Sequence, residues 1–240
     1  MAINIQKIYD ATWEHYQKAK KNVPEKRIYL EHSSAAISNV IPGFDAAKLE
    51  FGSFDKENYA VLFVDMRNST LRAQQVGAEK TFLTMHVYLT ALLEVVKTYH
   101  GKVIDIMGDG LMVFWGGAKA REEENEFNKF AAQNAGLCGR DMLIVLEKVI
   151  NPIINKENLG NSISVGIGVT FDSVIVTKIG IADSYDVKAF GDCINTASHY
   201  ASDVINKVKV SKKVKELWPK GPKGTIHFTL VNGENAFLLS

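Results

Sequence analysis

The chain has 240 residues, 28 basic and 27 acidic side chains, a formal net charge of +1 and 46% hydrophobic content. That is room for one large domain, or one domain with extensions, and the near-zero charge gives no global field favouring nucleic acid or a membrane surface. Two cysteines, Cys138 and Cys193, fit a reducing compartment, and no stretch approaches the roughly 20 apolar residues of a membrane helix, so the sequence reads as a cytoplasmic globular protein.

Ile5, Ile8, Tyr9, Trp13 and Tyr16 recur near a helical period within residues 3–22, with lysines at the end where a helix dipole favours cations. The aromatic stripe serves either dimerisation or packing onto the domain. Pro24, Pro42, Gly43 and Gly52 then mark an irregular connector, which makes residues 1–58 a helix plus connector and residues 59–240 the main domain. "YAVLFVD" (59–65) is a continuous apolar run of the kind found in buried central strands. Residues 69–101 predict one or two helices, with Gly77 as a break and Gly101 as a stop. Segments 102–108 and 110–116 predict a hairpin, and 120–151 a helix with an acidic start. Segments 162–171 and 173–180 predict a second strand pair, followed by a loop and a helix over 192–205. "KVKVS", "TIHFTL" and "NAFLLS" are short strand-like pieces. The order is that of an α+β fold: a ferredoxin-like β-α-β-β-α-β core with extra strands and helices.

Two aspartates stand at strand ends. Asp65 closes the first apolar run in "FVDMRNST", and Asp109 tips the hairpin in "IDIMGDGLMVFW". A strand end and a hairpin tip can lie side by side in one sheet. Two carboxylates brought together repel unless a proton or a cation separates them, and Mg²⁺-type ions bind through one or two carboxylates plus substrate phosphates. Asn68, Ser69 and Thr70 would turn backbone N–H groups toward an anion at a helix start. The plainer alternatives are a helix cap for Asp65 and a turn role for Asp109.

These two stretches resemble the signatures of class III nucleotidyl cyclases, and "DVKAFGDCINTASHYAS" (186–202) resembles a third. All three occur in the family's order. The resemblance implies a metal-dependent nucleotide cyclase catalytic domain over residues 59–240. Asp65, the Met66 carbonyl and Asp109 would hold two divalent ions, Mn²⁺ or Mg²⁺, and Phe63 would lie beside the nucleoside. It also implies a homodimer whose active sites form at the interface, with Asn195 orienting the ribose. The family's transition-state arginine is replaced by His199, which can donate one hydrogen bond but lacks the fork. Arg67, Lys178, Lys220 and Lys223 are the candidate substitute cations.

The positions that select the base in this family are Asp105 and Lys188, reversed in polarity relative to an adenine reader. A carboxylate facing an N3–H and an ammonium facing a carbonyl suit uracil. Guanine could satisfy the same pair, and an ordinary salt bridge between them is the structural alternative. The pattern is similar to that of the bacterial pyrimidine cyclases of antiphage (Pycsar) systems. It implies UTP ahead of CTP as substrate, and a product read by a separate cyclic-nucleotide effector. A conventional purine cyclase, or a degenerate domain that binds nucleotide without turnover, are the competing readings.

Overall fold

In the computed structural model, which describes residues 3–23, 41, 50–117, 124–181, 184–219 and 226–240, the first apolar run is the middle of a longer strand. β1 spans Phe54–Met66, and its first residues alternate in exposure before burial becomes continuous at Tyr59. Ala60, Leu62, Val64 and Met66 face one hydrophobic core, while Tyr59, Val61 and Phe63 face a second. That two-residue period explains the unbroken apolar run, because the strand is covered on both faces.

α1 (Ile5–Asn22) begins at Asn4, whose side chain accepts from the Lys7 N–H at 3.0 Å. It buries Ile8, Thr12, Tyr16 and Ala19, and packs against α2 (Ser69–Thr98). The Tyr16 hydroxyl donates to Glu157 at 2.6 Å, and Lys20 reaches the same carboxylate at 2.6 Å. The helical stripe is therefore used within the chain. α2 breaks at Gly77 (φ 81°, ψ 171°), as its sequence predicts.

β2 (Lys102–Met107) and β3 (Gly110–Gly116) form the expected hairpin. α3 (Glu124–Val145) runs through a π turn at Leu146–Ile150 into α4 (Asn151–Lys156). The predicted start of this helix at 120–123 lies outside the described residues. β4 corrects the sequence reading: Val165–Ile181 is one strand, not two. It pairs with β1 without interruption from Phe54↔Thr177 to Met66↔Val165, so Asp172 and Ser173 pass through extended. Asp172 instead accepts from the Ser173 N–H and from Lys213. The segment read as a loop contains β5 (Ser184–Phe190), folded back on the end of β4.

α5 (Asp192–Asp203), β6 (Lys207–Ser211), α6 (Lys212–Leu217), β7 (Phe228–Leu230) and β8 (Ala236–Leu239) complete the described elements. The described sheet has eight strands in the order β2-β3-β1-β4-β6-β8-β7, with β5 on β4. Each neighbouring pair in β2-β3-β1-β4 is antiparallel, which is the ferredoxin-like core expected from the order of elements. α2 and α3 cover one face; α5 lies on the other, directly over β4. Gly166 and Gly168 allow that approach. A Cβ at Gly168 would stand 1.9 Å from the Ala197 carbonyl oxygen, and one at Gly166 would stand 1.8 Å from that of Ala201. No described helix is long and apolar enough to cross a membrane.

Candidate active site

The sheet brings the two aspartates together. Val64 pairs with Leu111, so the end of β1 lies beside the tip of the β2–β3 hairpin. Gly108 makes the turn at φ 64°, and Gly110 lets the tip settle on Phe63, whose Cζ would be 3.2 Å from a Cβ there. Asp65 and Asp109 lie near enough for the charge of one to act on the other. Burial first, then the charge of Asp109, push the Asp65 carboxyl above the usual carboxylate range, while Arg67 pulls it the other way. Asp109 Oδ2 is buried and accepts from no donor among the described residues.

A hard divalent cation would suit that orphaned oxygen, since the expected donors, two carboxylates and the Met66 carbonyl, are all oxygen. No cluster of three or more His, Cys, Asp or Glu side chains suited to a metal exists among the described residues. Ligands from a substrate's phosphates would therefore complete the coordination.

Beyond Asp65 the chain turns at Asn68 (φ 56°, ψ 32°), a left-handed conformation that asparagine tolerates. α2 then starts at Ser69 with no side chain capping its first turn. A cleft of about 470 Å³ is lined by Asp65, Met66, Arg67, Asn68, Ser69, Thr70, Leu71 and Gln74. Ser69 and Thr70 also line an adjoining, more apolar pocket that includes Asp109. Arg72 fixes this first part of α2, donating to the carbonyls of Leu159 (2.9 Å) and Asn161.

Asn195 and His199 stand one turn apart on α5, both exposed, while Cys193, Ala197 and Ala201 face the sheet. Their face points outward, where a second chain could meet it. Asp105 sits on β2 just after a bulge, and Lys188 on β5. Lys188 makes its ion pair with Asp186 at 2.7 Å, not with Asp105, although the charge of Asp105 also helps to raise its pKa after the contribution of Asp186. Of the candidate cations, Arg67 is bonded to Asp65, and Lys178 lies 5.2 Å above the Phe51 ring. Lys220 and Lys223 lie outside the described residues.

Two neighbours of these residues were not legible from motifs. Tyr88 of α2 is buried, its hydroxyl has no hydrogen-bond partner among the described residues, and its phenol is pushed up by burial and then by the charges of Asp109 and Asp65. Its only sequence signal is a place on the buried helical stripe. Asp186 is the other, recognisable only once β5 is seen as a strand with Lys188 two residues along.

Residues 53–235 match the family model described as the adenylate and guanylate cyclase catalytic domain. The chain is 24% identical to a cytidylate cyclase from Escherichia coli over 148 residues, 60% of this chain and 31% of that protein. It is 21% identical to an adenylate cyclase from Anabaena cylindrica over 198 residues, 82% of this chain and 37% of that protein. The chain thus spans about a third of the length of these relatives. The crystal structure of the adenylyl cyclase CyaB from P. aeruginosa superposes with a TM-score of 0.64 at 20% identity, covering 78% of this chain and 94% of that one. At that identity the likeness is one of fold.

Proposed function

The chain belongs to the adenylate and guanylate cyclase catalytic domain family, and from that premise we propose that it cyclises a nucleoside triphosphate to a 3′,5′-cyclic mononucleotide with release of pyrophosphate. The observation that carries this reading is the approach of Asp65 and Asp109 at adjacent strand ends, with a buried Oδ2 that has no donor among the described residues, beside the start of α2, which no side chain caps. Asp65, the Met66 carbonyl and Asp109 would hold two divalent ions. When bound, such ions supply charge neutralisation and make the ribose 3′-hydroxyl easier to deprotonate.

The chain's own residues do the rest. Backbone N–H groups of Asn68, Ser69 and Thr70 receive the triphosphate at the positive end of α2. Phe63 borders the nucleoside. The ribose 3′-hydroxyl gives its proton to water, and its oxygen forms the new bond to the α-phosphorus as the bond to the pyrophosphate oxygen breaks. Asn195 orients the ribose, and His199 donates a hydrogen bond to the α-phosphate. The outward face of α5 supports a homodimer in which Asn195, His199, Asp105 and Lys188 of one copy face the metal carboxylates of the other across a shared active site. The catalytic unit begins at β1, and α1 is an extension packed on it.

The base reading is a pyrimidine, UTP first. Asp105 accepts from the uracil N3–H, and Lys188, already on the same chain and within reach of its charge, donates to a carbonyl. CTP is the second reading, favoured by the relative named cytidylate cyclase. The product would act as a signal for a separate cyclic-nucleotide effector, in the manner of antiphage defence.

Mass spectrometry of products from ATP, GTP, CTP and UTP, each with Mn²⁺ and then Mg²⁺, tests this. Cyclic UMP as main product confirms the first reading, and cyclic CMP the second. Cyclic AMP or GMP keeps the reaction and rejects the base assignment. No product from an intact dimer rejects the cyclase reading in favour of a non-catalytic nucleotide-binding domain.

A further inference from the structure

Arg67 is held in a socket of three oxygens. Its Nη2 donates to Asp65 Oδ2 and lies 3.5 Å from the Asp65 carbonyl oxygen; its Nη1 donates to the Ser202 carbonyl at 3.0 Å. Ser202 is in the last turn of α5, where the helix carries its own partial negative charge. The Arg67 side chain is only 15% exposed. Anchored at the end of β1 and the end of α5, the guanidinium is a fixed charge and not a free surface arginine.

We infer that Arg67 is a built-in positive charge that weakens the aspartate pair's affinity for a free divalent cation and so makes metal loading depend on the incoming triphosphate. The inference rests on the assignment of Asp65 and Asp109 as metal carboxylates. Without Arg67, a cation entering the cleft would meet two carboxylates; with it, one of their two charges is offset at contact distance. At the effective dielectric of a half-buried site, a unit charge a few ångströms away changes binding of a divalent ion by about tenfold or more. The charge acts in the opposite direction on a triphosphate, which it attracts. A metal arriving with its nucleotide therefore escapes the penalty that a metal arriving alone incurs. Arg67 is thus a positioning residue for the order of binding, and it differs from the notion of a substitute for the missing arginine on α5 because it is tied to the metal carboxylate of its own chain.

The test is Mn²⁺ binding to the full chain, read from the loss of the free-ion electron paramagnetic resonance signal, without nucleotide and with a non-cyclisable triphosphate analogue. Arg67→Gln should bind Mn²⁺ alone about tenfold more tightly than the parent, with the gain falling below about threefold when the analogue is present. Arg67→Lys, which keeps the charge, should stay near the parent and guards against a merely structural effect. Equal or weaker Mn²⁺ binding by Arg67→Gln, with Asp65→Asn still abolishing it, overturns the inference and leaves the metal site standing. Tight binding that Asp65→Asn does not disturb, or none in any of these proteins, overturns the metal assignment and the inference with it.

Discussion

Replacing Gly168 with alanine asks how closely α5 must lie on the sheet. The added Cβ would stand 1.9 Å from the Ala197 carbonyl oxygen, 2.8 Å from the Ala201 nitrogen and 2.8 Å from the Tyr200 Cβ. Two of these three atoms are backbone, so no rotamer change relieves the contact. Moving the Ala197 oxygen out to ordinary contact, about 3.2 Å, lifts the helix by more than about 1 Å. Overpacking of this kind costs about 1–3 kcal/mol, or roughly 2–12 °C in Tm for a chain of this size. The larger expected effect is functional, because Asn195 and His199, the proposed substrate-orienting residues, ride on α5. A displacement of about 1 Å in groups that orient a reacting substrate lowers turnover by about a hundredfold. The assay is cyclic-nucleotide formation per folded protein, measured beside the melting curve. Gly101→Ala is the matched control: its Cβ would meet Trp115 Cζ2 at 2.5 Å and Val113 Cγ1 at 2.6 Å, at the far end of β2 from the aspartates. It should lose comparable stability and keep turnover within about twofold. A folded Gly168→Ala protein with parental turnover would refute the claim that the seat of α5 governs catalysis.

Asp109→Asn removes the charge that, after burial, raises Asp65; because that raised pKa penalises the ionised pair at neutral pH, the metal-free variant should melt no lower than the parent. Its Mn²⁺-induced rise in Tm and its product formation should both vanish, and a retained Mn²⁺ shift contradicts the metal role. Glu157 is held below the usual carboxylate range by hydrogen bonds from Lys20 and then Tyr16. Its contribution is present above the unfolded value and lost as pH falls through the lower folded one. Tm should therefore drop more steeply below about pH 5 in the parent than in Glu157→Gln, and parallel acid limbs would remove the α1 clasp from the account of stability. Exchanging Asp105 and Lys188 for one another should shift the ratio of pyrimidine to purine products by about tenfold or more, and an unchanged ratio demotes them to structural residues.

The core was legible because its strands obey simple periods. "YAVLFVD" is apolar throughout because both faces of β1 are covered, and the Gly-Asp-Gly tip announced both the hairpin and Asp109. β4 was split in two because "FDS" carries the polar pair of a turn, yet β1 runs alongside and pairs straight through it. β5 and α6 were missed for opposite reasons. "SYDVKAF" mixes charge with apolar residues at a sheet margin, and α6 spans only Lys212–Leu217, too short for a helical period to emerge. The socket of Arg67 could not be read in sequence, since Ser202 lies 135 residues away and only the seating of α5 over Gly166 and Gly168 brings its carbonyl to the guanidinium.

The sheet also separates chemistry from choice. The proposed metal carboxylates sit at the centre, Asp65 on a strand flanked by β3 and β4 and Asp109 at the tip beside it. The proposed base readers ride on the margins of the described sheet, Asp105 on β2 at one end and Lys188 on β5, which among the described strands pairs with β4. Marginal strands tolerate exchange that a strand locked on both edges does not. On that proposal, a combinatorial library confined to β2 and β5 would explore new nucleobases while leaving the proposed metal carboxylates intact, and the same geometry would give natural variation a route from one cyclic nucleotide to another without refounding the fold.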